Sequence, residues 1–271
     1  MNKTNLGVAV VTVASTGIGH ATAKALQNAG FRVFGTSRRA AAERFDDVTM
    51  LTCDVTNDES VAKLVDDVLA EAGRIDLLVN NAGVGVIGGA EESSIAQAQA
   101  LFDVNVFGVM RVTKAVLPTM RRQRKGRIIN MSSILGLIPS PYNAIYSSSK
   151  HAIEGYSESL DHELRTLGIR VALIEPGYTN TAFEKNKAKP DQPLSIYDSV
   201  RTHTEQFMLK SVEEGDAPEI VAETVLKAAS AALPNRRYPA GKLARQVRML
   251  RRFVPESAFD KSLRKQNGLP V

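Results

Sequence analysis

The sequence predicts an α/β fold in which helices flank both faces of a doubly wound parallel sheet. Three observations predict this class. Short β-branched runs alternate with segments of helical period, and strands separated by helices form βαβ units. The predicted strands are continuous apolar runs, as expected for a sheet covered on both faces. At 271 residues, 44% of them hydrophobic and 23% charged, the chain suits one domain over residues 1–271 with a large core.

The elements alternate along most of the chain. We expect strands at 8–13, 31–36, 48–53, 75–79, 127–131 and 170–174, in a sheet of about seven strands. We expect helices near 18–29, 57–72, 93–124, 147–167 and 217–232. Two regions depart from this pattern, an insertion at about 182–216 and a basic C-terminal extension at about 234–271. Long insertions in compact domains are often lids or binding loops.

Charge and cysteine usage exclude several function classes. The net charge is +5, but the residues from 234 onward carry +8 and the preceding ones −3. A mildly acidic body argues against nucleic-acid binding. No apolar run reaches transmembrane length, and the run at 8–13 is too short for a signal-peptide core. The single cysteine, Cys53, allows no internal disulfide and no metal cluster. We therefore expect no metal site and a cytoplasmic location.

The first strand leads into the turn ASTGIG (14–19) and then into a helical pattern. This layout places a pyrophosphate on a helix N-terminus. Val13 stands where such a turn most favours glycine, because a β-branched side chain gives neither backbone freedom nor close approach to a ligand. The predicted contacts of the turn with a dinucleotide are Ser15, Thr16, Gly17, Ile18 and Gly19.

The end of the second strand predicts which dinucleotide is bound. The strand is followed by Ser37, Arg38 and Arg39, with no acidic residue before Glu43. A carboxylate at this point would bind a ribose 2′-hydroxyl, whereas a hydroxyl followed by guanidinium groups suits a 2′-phosphate. NADP(H) is therefore predicted in preference to NAD(H). The alternative is that both arginines are solvated loop charges.

Tyr146 and Lys150 are four residues apart in YSSSK, which places both side chains on one helix face. A phenol has an ordinary pKa of about 10, and a nearby ammonium favours the phenolate. The pair is thus a candidate acid–base unit. Ser133 follows a predicted strand at the sheet edge where doubly wound folds bind ligands.

Taken in order, these motifs resemble the short-chain dehydrogenase/reductase family from about residue 8 to residue 181. The resemblance implies a Rossmann-type fold and an NAD(P)-dependent interconversion of an alcohol and a carbonyl. The matching pieces are ASTGIG (14–19), CDV (53–55), NNAG (80–83), Asn105 in NVFG, Ser133 in MSS, Tyr146 and Lys150 in YSSSK, and PGYTNT (176–181).

The resemblance also implies residue roles. Tyr146 would be the general acid/base and Ser133 would orient the reacting oxygen. Lys150 would tune Tyr146 and hold the nicotinamide ribose, and Asn105 would hold a water in a proton relay. The remaining implied cofactor contacts are Asp54 and Val55 near the adenine, Asn81, Ala82 and Gly83 beside the central strand, and Pro176, Gly177, Thr179 and Thr181 around the nicotinamide amide.

The family has glycine at the position of Val13. We expect the turn to form with strain or with a displaced path, and to bind the cofactor more weakly. The alternative is a substitution with modest effect. A protein that kept the fold and became a non-catalytic, cofactor-sensing module is a further alternative.

The insertion and the tail predict the substrate. The insertion is richer in apolar side chains than a small polar substrate needs, which favours a lipophilic alcohol, ketone or aldehyde. The chain is similar to steroid and retinol dehydrogenase-like members; the alternative enzyme is a 3-oxoacyl reductase. The apolar residues of the insertion are Phe183, Leu194, Ile196, Tyr197, Val200, Phe207, Met208 and Leu209.

The tail contains an amphipathic helix with an apolar face and a basic face. We favour a helix that closes over the pocket with its basic face in water; the alternative is contact with an anionic membrane. The apolar face comprises Leu243, Val247, Leu250 and Val254, and the basic face Lys242, Arg245, Arg248 and Arg252.

The helices near 93–124 and 147–167 predict the assembly. In the family such helices pair across a two-fold axis, so we expect a homodimer or homotetramer. An outward apolar stripe is expected, and the alternative is that its residues face the sheet. The stripe comprises Leu101, Val104, Gly108, Val112 and Val116.

Overall fold

The computed structural model describes residues 6–39 and 47–270. At its centre lies a parallel seven-stranded sheet with the order β3-β2-β1-β4-β5-β6-β7. The order reverses between β1 and β4, the kind of position at which doubly wound sheets bind ligands. The predicted fold class is confirmed. The strands are β1 Gly7–Val11, β2 Phe31–Ser37, β3 Thr49–Thr52, β4 Leu77–Asn80, β5 Gly126–Met131, β6 Ile169–Pro176 and β7 Arg237–Ala240.

Helices cover both faces of the sheet. One hydrophobic core joins the sheet to α2, α4 and α5, and a second core joins the opposite face to α1 and α7. Because both faces are covered, the central strands are buried along nearly their whole length. The helices are α1 Gly17–Ala29, α2 Asp58–Ala72, α3 Ile95–Phe102, α4 Gly108–Gln123, α5 Ala144–Leu164, α6 Asp198–Glu213, α7 Pro218–Ser230, α8 Lys242–Phe253 and α9 Glu256–Gln266.

Three elements differ from the sequence-based expectation. The insertion contains a full helix, α6, which buries only Thr204, Met208 and Val212, so its apolar periodicity is weak. The seventh strand, β7, has the sequence RYPA without a β-branched run; it lies at the sheet edge, where proline is tolerated. The helix expected near 93–124 is interrupted by a π-helical segment, Asp103–Phe107.

The expected outward apolar stripe is wrong. Val112 and Val116 are fully buried in the first core, and Val104 packs against the same core. Leu101 is also buried, and a Cβ on Gly108 would lie 2.9 Å from a methyl group of Val55. The two valines of α4 face inward because the sheet and α2 cover the face of α4 that carries them.

The tail helices α8 and α9 pack beside the cavity described below. Ala244 and Val247 of α8 pack with Ile134 and Ile138 of the segment after β5. The expectation that α8 closes over the pocket is not met, because no α8 side chain lines the described cavity. Leu250, expected on the packed face, is 49% exposed. Within the described ranges, every helix is too short or too polar to span a bilayer.

Candidate functional site

A cavity of about 550 Å³ opens at the carboxyl ends of the central strands. Its wall joins the turn after β1, the end of β2, the loops after β4, β5 and β6, and the start of α5. The structure therefore brings most of the predicted site residues together. Those lining the cavity are Ser15, Thr16, Gly17, Ile18, Ser37, Arg38, Arg39, Asn81, Gly83, Tyr146, Lys150, Pro176, Gly177, Thr179 and Thr181. Those outside its lining are Gly19, Asp54, Val55, Ala82, Asn105 and Ser133.

The turn after β1 keeps a tight path with Val13 in it. Val13 has φ of +52°, a left-handed conformation that β-branched residues rarely adopt. Its N–H donates to Thr36 Oγ1 at 3.1 Å, and its carbonyl accepts from Asn81 Nδ2 at 3.1 Å. The Val13 side chain packs partly against the first core and also lines the cavity. The turn is thus formed and strained, as expected, while the weaker cofactor binding expected with it stays a prediction.

Two positions of the turn require glycine, each for a different structural reason. Gly17 has φ of +56°, which favours glycine. A Cβ on Gly19 would lie only 2.0 Å from the Val13 carbonyl oxygen, so Gly19 permits close packing within the turn and does not line the cavity. The helix α1 starts at this turn, and its N-cap Thr16 makes no side-chain capping bond. The first amide groups of α1 therefore suit an anionic group in the cavity.

The loop after β4 is held to the turn by Thr12. The Thr12 hydroxyl accepts from the N–H groups of Asn81 and Ala82, both at 2.9 Å. Ala82 is buried, whereas Gly83 reaches the cavity, where a Cβ would lie 3.8 Å from Lys150 Nζ. The small residue at 83 keeps the space beside Lys150 open. Together with the free helix end, this space is a good fit for a dinucleotide.

The cavity wall at the end of β2 is cationic. Arg38 and Arg39 are exposed and line the cavity beside Ser37. Glu43 lies outside the described residues. Asp54 lies outside the cavity lining, and its carboxylate accepts from Thr56 N at 2.9 Å and Thr56 Oγ1 at 2.7 Å.

Tyr146 and Lys150 lie on one face of α5, as the spacing predicts. Lys150 Nζ donates to the Met131 carbonyl at 2.9 Å and lies 5.7 Å from the Tyr146 ring centroid. Burial lowers the pKa of Lys150 to about 8, against the opposing charge of Glu154.

The pKa of Tyr146 differs from the sequence-based expectation. Burial raises it, the carboxylate of Glu184 raises it further, and a hydrogen bond with Ser133 opposes both. The tyrosine is 7% exposed. The expected lowering of the Tyr146 pKa is therefore wrong for the protein alone, because removal from water disfavours the phenolate.

Ser133 and Asn105 support this pair from outside the cavity lining. Ser133 lies just beyond β5, and its hydroxyl accepts from Leu135 N at 3.1 Å while hydrogen-bonding Tyr146. Asn105 lies in the π-helical segment, a feature frequent at functional sites. Its Oδ1 accepts from Val84 N at 2.8 Å, and its Nδ2 donates to Val84 O at 2.9 Å and Ser149 Oγ at 3.1 Å. Asn105 thus fixes the loop after β4 to α5.

The segment 181–190, called the lid segment below, supplies residues that motif analysis missed. Phe183 was expected to contact substrate, and its ring centroid lies 5.8 Å from that of Tyr146. Glu184 and Asn186 also line the cavity, yet nothing in the polar run EKNKAK indicates it. Further lining residues are Val84, Gly85, Met131, Ser132, Tyr178, Ala182 and Val212.

The insertion is also held to the body of the protein beyond the lid segment, by the buried side chain of Glu92. Its carboxylate accepts from Leu194 N at 2.9 Å and Gly89 N at 2.7 Å and pairs with Arg201 of α6. Burial alone would raise the pKa of Glu92, but these donors hold it below its ordinary value. The insertion is thus anchored to the body on both sides of Pro190.

Comparison with known proteins finds dehydrogenases and reductases of one family. The model of the short chain dehydrogenase family matches residues 7–192. A 3-ketodihydrosphingosine reductase of Bacteroides thetaiotaomicron is 44% identical over 180 residues, 66% of each chain. Retinol dehydrogenase 8 of Bos taurus is 37% identical over 209 residues, 74% of this chain and 66% of that protein. About a third of each of these two relatives is therefore unmatched.

Solved structures are similar over nearly the whole chain. A short-chain dehydrogenase of Streptomyces avermitilis has a TM-score of 0.82 and 31% identity, covering 98% of this chain and 96% of that one. A Burkholderia phymatum structure in complex with NAD has a TM-score of 0.75 and 27% identity, covering 92% and 94%. A metagenomic oxidoreductase in complex with NADP has a TM-score of 0.68 and 29% identity, covering 88% and 99%.

Proposed function

Because the chain belongs to the short-chain dehydrogenase/reductase family, we propose that it is an NADP(H)-preferring oxidoreductase acting on a lipophilic substrate. The reaction interconverts an alcohol and a carbonyl. One observation carries the proposal: Tyr146 and Lys150 line the same cavity as the glycine turn, with Ser133 hydrogen-bonded to the phenol. This arrangement combines a proton-transfer group with a dinucleotide cradle.

Each residue has a defined part in the reaction. When bound, NADP(H) supplies or accepts the hydride. Tyr146 gives its proton to the carbonyl oxygen in reduction and recovers it in oxidation, and its raised pKa keeps the phenol protonated at neutral pH. The Ser133 hydroxyl orients the same oxygen. Lys150 is largely cationic at neutral pH and stabilises the phenolate left by proton transfer.

Asn105 acts as a positioning residue in this proposal. Its amide holds Val84 and Ser149, and the Ser149 hydroxyl in turn donates to the Tyr146 carbonyl at 2.7 Å. The water-holding role that the family resemblance implies for Asn105 stays a prediction.

The test of the reaction is Tyr146→Phe, which deletes only the proton-transfer oxygen. Turnover of NADPH should fall by ~10²–10⁴-fold, the usual contribution of general acid–base catalysis. NADPH binding and the melting temperature should change little. Tyr238→Phe is the matched control, because Tyr238 is an equally buried tyrosine, in β7, that lies outside the cavity lining. A Tyr146→Phe protein that keeps half its turnover would end the assignment.

The cofactor preference rests on Arg38 and Arg39. NADPH differs from NADH by a 2′-phosphate, which guanidinium groups bind through charge-assisted hydrogen bonds. Arg38→Ala should weaken NADPH binding by roughly one to two decades, since such a contact contributes ~1.5–3 kcal/mol, and should leave NADH binding nearly unchanged. Exposed Arg121, outside the cavity lining, gives the control Arg121→Ala. Equal weakening of both cofactors in a titration would count against the proposal.

The lipophilic substrate class rests on the apolar part of the cavity. The Phe183 ring packs at a tilt against that of Tyr146, and Tyr178 has its ring centroid 6.3 Å from that of Phe207. The names of two relatives, a 3-ketodihydrosphingosine reductase and a retinol dehydrogenase, support it. The panel for the turnover assay should therefore contain long-chain ketones, aldehydes and a 3-oxoacyl thioester. Preference for the thioester would instead favour the 3-oxoacyl reductase alternative.

A homodimer is the assembly we infer, through the outer surface of α4 and α5. Phe107, just before α4, is 51% exposed, and Met110, Ala152 and Tyr156 are only partly buried. Light scattering at micromolar concentration should give twice the chain mass of 29.3 kDa, or four times for a homotetramer. A mass of 29.3 kDa would refute assembly. The cytoplasmic location stays a prediction from cysteine usage.

A further inference from the structure

The lid segment places a second ammonium group beside Tyr146. Lys187 Nζ lies 5.3 Å from the Tyr146 ring centroid and 5.7 Å from that of Phe183. The Lys187 side chain is only 3% exposed. Lys150 Nζ lies 5.7 Å from the same tyrosine centroid. The phenol ring therefore has two cationic neighbours, one from α5 and one from the insertion.

The position of Lys187 is fixed by its own backbone. Val86 and Ala188 form a parallel bridge, in which Ala188 N donates to Gly85 O at 2.9 Å and Ile87 N donates to Ala188 O at 3.2 Å. The aliphatic part of Lys187 packs over Gly85, where a Cβ would lie 2.8 Å from Lys187 Cγ. The ammonium can leave Tyr146 only if the lid segment detaches from this loop or the side chain repacks.

The charge of Lys187 is balanced by Glu184. Lys187 Nζ lies 2.7 Å from Glu184 Oε2, and it also contacts Asn143 Oδ1 at 3.4 Å. Burial of a lysine requires such a partner. The carboxylate is nearly buried as well, with 13% of its side chain exposed, and it lines the cavity. Two opposite charges of one lid segment therefore lie near the reacting phenol.

We propose that Lys187 is a positioning residue that promotes ionisation of Tyr146, and that Glu184 opposes it. The proposal rests on the proposed role of Tyr146 in the reaction. An opposite charge within about 4–6 Å favours an ionised form, and a like charge disfavours it. Ser133 after β5 and Glu184 of the lid segment act on the phenol, and the ammonium groups of Lys150 and Lys187 lie near its ring. Farther out, the charge of Glu154 acts on Lys150 and that of Glu184 acts on Tyr178. The two charged side chains of the lid segment thereby set the acid strength of the catalytic group.

The test uses opposite substitutions of the ion pair. Glu184→Gln should lower the Tyr146 pKa by about one pH unit, because Lys187 is then unopposed. Lys187→Met should raise it, since the carboxylate is then unneutralised, and the double variant should lie close to the wild type. Tyrosinate absorbance in a pH titration of the full chain, with and without saturating NADP⁺, measures this directly. Each titration is repeated with the same variant also carrying Tyr146→Phe, and the difference between the two curves is the absorbance of Tyr146 alone.

Lys185→Met is the matched control, because Lys185 is exposed in the same segment. It should leave the titration unchanged. The acid limb of the pH profile for alcohol oxidation should move with the tyrosinate titration. Shifts of the same sign in both single variants, or altered turnover with an unmoved titration, would show that the pair is only a structural anchor. If Lys187→Met does not fold, the titrations of Glu184→Gln and of the double variant still show whether the pair changes the Tyr146 pKa.

The two proposals fail in different ways. Retained turnover in Tyr146→Phe would overturn the proposed function, whereas the absorbance titration would still report whether Lys187 and Glu184 act on the phenol. An unmoved titration in a protein that needs Tyr146 for turnover would overturn only the role of Lys187.

Discussion

Val13 shows how a single residue can depart from a motif without destroying it. Its φ of +52° is the conformation that a glycine would adopt without strain. The backbone of Val13 is nevertheless held by Thr36 and Asn81. A non-glycine residue in this region costs of order 1–3 kcal/mol, and the surrounding structure must supply that free energy.

Val13→Gly should raise both apo stability and cofactor affinity. Relief of strain of order 1–3 kcal/mol exceeds the ~0.5–1 kcal/mol lost through the freer unfolded chain. The lost packing of the partly buried valine side chain offsets part of the difference, so the net gain is on the order of 1 kcal/mol or less. Thermal melts without cofactor and fluorescence titration with NADPH measure the two effects.

Val13→Ala separates the causes, because it removes most of the side chain from the cavity and keeps the unfavourable φ. It should improve affinity more than stability. Equal NADPH affinity and an equal or lower melting temperature for Val13→Gly would show that the valine is harmless.

Residue motifs could predict which side chains meet at the site but not the electrostatics of the site. The four-residue spacing of Tyr146 and Lys150 places them together in the structure as expected. The direction of the Tyr146 pKa could not be predicted, because burial and Glu184 both raise it. Neither effect can be read from local sequence: burial depends on the packed cavity, and Glu184 approaches only after the chain folds back.

At the scale of elements, the strands and helices with strong periodicity were predictable. The strands β1 to β6 and the helices α1, α2, α5 and α7 were expected within a few residues of their observed bounds. The helix α6 was missed because its buried stripe is narrow, and β7 because an edge strand needs no apolar run. The lid segment could not be predicted, since it depends on pairing between Val86 and Ala188, distant in sequence.

At the scale of the whole molecule, one buried acid makes folding depend on pH. Glu175 of β6 is fully buried, and neither of its carboxylate oxygens has a hydrogen-bond donor among the described residues. Arg237 Nε lies 3.3 Å from Oε1. Burial raises the pKa of Glu175 to about 7, the charge of Glu154 adds to this, and Arg248 and Arg237 oppose it.

The sign of the effect follows from this pKa. The folded protein binds this proton more tightly than the unfolded chain, so the favourable contribution is complete below the ordinary carboxyl pKa. It is lost as pH rises through about 7. Wild-type stability should therefore fall between pH 5 and pH 8 by on the order of 1–3 kcal/mol from this group.

Glu175→Gln should remove this pH-dependent contribution to the free energy of unfolding. The free energy of unfolding of the variant, relative to that of the wild type, should therefore rise with pH. Denaturant unfolding at a series of pH values measures the difference. Glu158→Gln is a suitable control, because Glu158 also pairs with Arg237 and its side chain is 34% exposed. A difference between wild type and Glu175→Gln that stays constant with pH would contradict the prediction.

The hydrogen bonds that hold the turn at residue 13 also bear on how such a sequence can arise. Thr36 and Asn81 hold the main chain from both sides, so an ill-suited side chain changes the free energy of the turn far more than its path. The stability that a mutation away from glycine loses here can then be offset by any favourable substitution elsewhere in the fold. Selection acts on the sum, so this position can drift while the architecture around it is retained.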